Sequence, residues 1–522
     1  MTSTVSTEQL QQWLADSAEI ALLDVREPGQ FDAGHLFAAV PAPYSQLELV
    51  VPRLVPKPGV RIVLCDEGDG VGALAASRLA RIGYTDVSLL AGSPRQWRRS
   101  GCELFEGVNT MSKAFGELIE QTHRTPRLSA SELQSRIDRG DDLVVVDGRP
   151  LPEYRKMSIP GAICCPNGEL ALRIASLAPN ARTTIVVNCA GRTRSIIGAE
   201  SLRLLGVPNP VYALENGTQG WYLAGHALDH GASRLHCTDI PEAATLVQLQ
   251  ARTSELMRRH GVPRVGAATM NAWSADPART TYVFDVTTEA EFAAAARPGV
   301  LHAPGGQLVQ ATDQWIGVRG ARIVLLDPDG VRAGVVAFWL RRMGHDAVVL
   351  ERGSADHLAL HAPARIALAA LPPVDYRSIG DARIIDLRSS TAYRAGHSPG
   401  AVWSVRPRII EAARGARRVA LVASDRSSAS LAALDLTEAG IDVLALVSNA
   451  PFTESTPAAP CASESIDLRG LRAWASRGQP RSSRAVFELG VAAAQSPRQQ
   501  RPCIVRCRRG HHEWMRTCST EK

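Results

Sequence analysis

Cys189 ends a hydrophobic run and opens a short Gly/Arg stretch, residues 185–195 (IVVNCAGRTRS). A free thiol titrates near pH 8.5, so only a few per cent is thiolate at neutral pH, but a helix N-terminus and nearby cations lower that value by several units. Both aids are written here. Gly191 permits a tight backbone turn, Arg192 and Arg194 add fixed positive charge, and Ser195 stands where a helix through Ile196, Ile197 and Leu202 is expected to be capped. A lone cysteine at a strand end is by default an inert buried thiol. The glycine and two arginines around this one argue instead for a stabilised thiolate facing a small anion.

Loop length separates two chemistries. Cysteine-dependent phosphatases place an arginine six residues after the cysteine to wrap a phosphoryl group, whereas Ser195 holds that place here and Arg194 comes one position early. The six-residue loop from Cys189 to Arg194 resembles the active-site loop of the rhodanese family. Residues 144–162 (VVVDGRPLPEYRKMSIPGA) are similar to that family's first signature, with Asp147 and Arg149 in the Asp-x-Arg element, and residues 215–221 (ENGTQGW) resemble its closing turn.

The same unit recurs along the 522 residues. Strand-ending aspartates stand at Asp24, Asp147, Asp285 and Asp386, and 42 residues beyond the first three come Asp66, Cys189 and Asp327. A further 17 residues reach Gly83, Gly206 and Gly344; the same count back from Gly440 lands on Ala423. Four rhodanese-like repeats are expected, at 1–110, 123–232, 243–362 and 372–450, and only the second keeps the cysteine. Continuous apolar strands alternating with helices imply an α/β class, each repeat a parallel sheet with helices on both faces. SKAFGELIEQ, between the first two repeats, reads as a helical linker.

In this register Asp66 and Asp327 put a carboxylate where the thiolate belongs. Two like charges about 4 Å apart cost on the order of 4 kcal/mol near a surface, so neither loop is expected to take thiosulfate. Cys65 lies one residue early, at the place of Asn188 and among acidic neighbours, which disfavours its thiolate. Thr287 replaces the Arg149-type residue in the third repeat, which reads as degenerate. His35 and His397 read as structural hydrogen-bonding residues.

The resemblance implies sulfur transfer through a persulfide on Cys189. Backbone N–H groups of Ala190, Gly191, Arg192, Thr193 and Arg194 are expected to hold the sulfur, and the Arg192 and Arg194 side chains to attract a dianionic donor. Asp147 buttresses the loop; Arg149 does the same or reaches the substrate's anionic end. The implied partners are thiosulfate or another sulfane-sulfur donor and cyanide or a thiol acceptor, with no cofactor. Three other readings stay open: an enzyme for 3-mercaptopyruvate, a relay scaffold fed by a protein persulfide, and a small-oxyanion phosphatase or arsenate reductase.

The formal charge of +6 belongs to residues 451–522, read as a basic, disordered tail; its lack of aromatic interleaving argues against nucleic acid. Cys503, Cys507, His511, His512 and Cys518 lie there, but without knuckle-like flanks no metal is expected. Scattered cysteines, no signal peptide and no membrane-length apolar run lead to an expectation of a reducing cytoplasm.

Overall fold

The computed structural model describes residues 2–360, 366, 368, 371–448 and 452–455. The cysteines and histidines at 503–518, and nearly all of the basic tail, fall outside the described residues. Four five-stranded sheets follow one another along the chain. Numbered within its own unit, each has the strand order 1-5-4-2-3, and its pairings are parallel.

That order creates a crevice. Strands 2 and 4 are neighbours at the centre, but the chain leaves strand 2 toward one edge and strand 4 toward the other, and ligands of open parallel sheets bind at such a switch point. The pairing register places the strand-ending aspartates beside it: Asp24 opposite Cys65, Asp147 opposite Asn188, Asp285 opposite Leu326 and Asp386 opposite Val422. One residue further on lie Asp66, Cys189, Asp327 and Ala423.

The strands are buried on both faces. Ile185 and Val187 of strand Thr184–Asn188 enter one core and Val186 the opposite one. The first of these cores runs unbroken through the first three units and the helix Thr110–His123 between units one and two. Residues Met111, Phe115, Leu118 and Ile119 of that helix supply its apolar face at helical spacing. The fourth unit has cores of its own and meets the first through a buried ion cluster in which Arg406 pairs with Glu48 at 2.6 Å and with Asp435 at 2.9 Å. Contacts of this unit run past residue 450: Phe452 lies 3.7 Å beneath the Arg388 guanidinium, and Glu454 bridges to His397.

Local signals explain the helix ends. Gly83, Gly206, Gly344 and Gly440 have φ of 100°, 68°, 91° and 75°, the left-handed conformation that ends a helix at least cost to glycine. Ser129 and Glu132 form a complete capping box, whereas Ser6 accepts from Gln9 N alone.

Candidate active site

Cys189 follows strand Thr184–Asn188 directly and is 2 % exposed. The turn 215–221 fastens its loop from outside: Thr218 N and Oγ1 donate to the Cys189 carbonyl at 2.8 and 3.0 Å, and Gln219 N donates to the Ala190 carbonyl at 3.0 Å. Gly217 makes this approach with φ of 53°; a Cβ there would sit 2.3 Å from the Cys189 oxygen. Because a trans peptide points its N–H opposite its C=O, the N–H groups of Ala190 and Gly191 face the loop interior. Asn167 Nδ2 donates to the Arg194 carbonyl at 2.7 Å and Ser195 Oγ to the Arg192 carbonyl at 2.7 Å.

The helix after the loop spans Thr193–Leu204, with Arg192 at the capping position. Ser195, expected as the cap, is therefore inside the first turn, because the loop turns into helix three residues sooner than its hydroxyl suggested. The N–H groups of that first turn have no intrahelical acceptor and concentrate positive potential at the end of the loop.

Asp147 supports the crevice floor. It accepts from Arg149 Nε and Nη2 at 2.8 and 2.7 Å and from Asn188 Nδ2 at 2.9 Å, and Asn188 also donates to Thr218 Oγ1 at 3.1 Å. Arg149 is 1 % exposed, and its Nη2 also reaches the Met157 carbonyl at 2.7 Å. Its guanidinium is directed inward, onto the Asp147 carboxylate and the Met157 carbonyl.

The two loop arginines are not free cations. Arg194 makes a two-pronged pair with Glu153, at 2.7 and 2.8 Å. Burial alone would lower its pKa, yet Glu153, with smaller contributions from Cys189 and Asp147, raises it. Arg192 is held by Glu120 and, at 3.2 Å, by Glu117, both from the linker helix. Burial pushes the Glu117 carboxyl up, opposed by Arg192. Gly116 of the same helix packs so closely that a Cβ would meet Thr193 Cγ2 at 2.8 Å.

Sequence reasoning noted the linker but assigned nothing to Glu117, Glu120, Asn167, Asn188 or Thr218. Two acids three residues apart on one helix, opposite in charge to the loop, were the available signal for the first pair.

The remaining units show what this loop does without a thiol. Asp66 accepts from Gly68 N at 3.0 Å and Gly72 N at 2.9 Å. Asp327 accepts from Gly330 N at 2.8 Å and Ala333 N at 2.7 Å. In the fourth unit Asp425 accepts from Ser428 N at 2.8 Å. Gly72 and Ala333 lie six residues past their aspartates, the place Ser195 holds relative to Cys189. Cys65 lies on its strand, 1 % exposed, and burial pushes its thiol well above the usual range. His35 and His397 stack on Phe31 and Tyr393 at 3.8 and 3.9 Å and bond to those residues' carbonyls. No group of three His, Cys, Asp or Glu side chains suited to a metal occurs among the described residues, and no helix there is long and apolar enough to cross a membrane.

A central crevice between strands 2 and 4, with a loop and helix start closing on one cysteine, defines a class. The rhodanese-like domain model matches residues 6–100 and 129–224, and the chain belongs to the rhodanese family. Over nearly its whole length it is similar to a crystal structure of thiosulfate sulfurtransferase from Pseudomonas aeruginosa, with 36% identity, a TM-score of 0.82, and 94% of this chain and 99% of that one covered. Two curated relatives match over one unit only: an HTH-type transcriptional regulator of Mycobacterium tuberculosis (35% identity over 106 residues) and YrkF of Bacillus subtilis, provisionally named a sulfur carrier protein (26% over 102 residues). The matches take in 20% of this chain each, and 45% and 54% of those proteins, so the chain spans about half the length of the curated relatives it matches.

Proposed function

We propose that the chain is a sulfurtransferase that carries sulfane sulfur as a persulfide on Cys189, taking it from thiosulfate and passing it to cyanide or a thiol. The observation that carries this reading is the position of Cys189: its register partners in the first and third units place a carboxylate against amides of the following helix start. A thiolate at that point is stabilised by the same donors.

The Cys189 thiolate attacks the outer sulfur of thiosulfate; the new S–S bond forms as the bond to the sulfonate sulfur breaks, and sulfite leaves with the electron pair. The acceptor then attacks the outer persulfide sulfur and the thiolate returns. Loop amides hold both the thiolate and the persulfide, Arg194 adds positive charge to the loop, and Asp147, Arg149, Asn188 and Thr218 keep the loop rigid.

One observation favours a second reading. Arg192 and Arg194 are both paired with carboxylates, so the loop offers little uncompensated charge to a dianion, as suits a donor that is itself a protein persulfide. Thiocyanate formation from thiosulfate and cyanide tests the two. Activity is expected in the intact chain and in Cys65→Ala, and its loss, by about a thousandfold or more, in Cys189→Ala. Turnover only with a protein persulfide donor selects the second reading, and Cys189→Ala with full activity refutes both.

A further inference from the structure

Away from Cys189, a small cleft opens between the first and third units and the start of the linker helix. Phe37, Met111 and Ile316 give it apolar walls, and Arg319, His345 and Asp313 also line it. Its frame is rigid. Gly317 N donates to the Leu54 carbonyl at 3.1 Å, Val318 N to the Tyr282 hydroxyl at 3.1 Å, and Arg319 N to the Ile20 carbonyl at 2.9 Å, which ties the third unit's loop to the first unit. A Cβ on Gly317 would lie 2.6 Å from the Leu54 oxygen, so this loop has no slack.

The polar groups in the cleft are unmatched. Among the described residues the half-buried Arg319 side chain has no hydrogen bond and no ion pair, and desolvation pulls its pKa down. Elsewhere in the molecule the buried guanidiniums of Arg26, Arg149, Arg332 and Arg406 all meet carboxylates. His345 Nε2 and Asp313 Oδ1 are buried without partners. Burial, reinforced by Arg319, pushes His345 down to about 4, so its imidazole is neutral at physiological pH and able to donate one hydrogen bond. Burial pushes Asp313 up to about 6, and its carboxyl makes no ion pair with Arg319. A partly desolvated cation without a partner is unfavourable, and the buried His345 ring nitrogen without one adds to that cost.

We propose that this cleft is a binding site for a small oxyanion, held by the Arg319 guanidinium and the His345 imidazole, with the apolar walls enclosing the rest of the ligand. A carboxylate of a short organic acid and a sulfur oxyanion share the required chemistry: negative oxygens for a guanidinium fork and for one further donor. The site is separate from Cys189 and does not depend on the reaction assigned to it.

The test is a titration of the full chain, labelled with ¹⁵N-histidine, using butyrate, thiosulfate and sulfate in turn against chloride at equal ionic strength. The His345 signal is assigned through His345→Gln. Saturable movement of that signal by at least one probe is expected, unchanged in Cys189→Ala and weakened about tenfold or more in Arg319→Gln or Arg319→Met. Movement with butyrate alone identifies an organic acid; movement with thiosulfate or sulfate identifies an inorganic oxyanion. A His345 signal that none of the three moves at tens of millimolar overturns the proposal, as does equal affinity in a folded Arg319 variant. Because the first readout is made on the unmutated chain, a variant that fails to fold does not remove the test.

Discussion

The loop after Thr184–Asn188 and the loops after Arg61–Cys65 and Arg322–Leu326 are built on the same strand order and register, yet they end in opposite chemical states. In the first and third units the residue beyond the strand is an aspartate that accepts the helix amides itself. In the second it is a cysteine. A fixed intramolecular carboxyl occupies those donors, whereas a thiolate can occupy them and remain a nucleophile. The difference teaches that the anion-binding turn belongs to the fold, and that one side chain decides whether it is filled or reactive.

Cys189→Asp is the most severe way to break this contrast. We expect it to abolish thiocyanate formation while leaving the thermal midpoint equal to or above that of the unmutated chain, because the new carboxylate meets donors already in place. A loss of more than about 1 kcal/mol of stability in denaturant melts would show that the loops are not equivalent.

A smaller effect sharpens it. Glu117 and Glu120 neutralise Arg192 from the linker helix, so the Glu117→Gln, Glu120→Gln double variant releases a cation toward the crevice. Steady-state kinetics with thiosulfate should show KM falling about three- to tenfold with kcat changed less than about twofold. A rise in KM would mean that the pairing presents Arg192 to the donor instead of restraining it.

The mildest effect concerns pH. Burial and the nearby Asp329 push Asp327 up to about 7, so the folded third unit binds its proton more tightly than the unfolded chain does. The stability gained from that proton is complete below the ordinary aspartate range, near pH 4, and is lost as pH rises through 7. Thermal midpoints between pH 5 and 8 should therefore drift down by a few degrees, and Asp327→Ala should flatten the drift. A slope unchanged in that variant would locate the titration elsewhere.

Much of this contrast was legible in the residues. The repeat spacing aligned Asp66, Cys189 and Asp327 because the strands between them are of equal length and pair in equal register, so counting residues counted positions in space. The Asp147–Arg149 pair, two residues apart, was marked by the family resemblance, whereas Asn188, the direct strand partner of Asp147, was given no role. What was not legible came from distance. Glu120 meets Arg192 from another element, and Arg319 acquires its surroundings from two units and the linker; neither contact leaves a periodic trace in the chain. The capping expectation for Ser195 failed on a local ambiguity, since Thr193, Arg194 and Ser195 all suit a first turn and only the anchored carbonyls decide where it begins.

The linker helix Thr110–His123 carries an implication for modularity. The matched second repeat begins at residue 129, beyond Glu117 and Glu120, so a boundary drawn by homology passes through the machinery around the cysteine. Excised at that boundary, the second unit would keep Cys189 and lose the restraint on Arg192. The charge around the cysteine is thus a property of the tandem arrangement, and a cut-and-paste transfer of the repeat alone would carry over a differently charged loop.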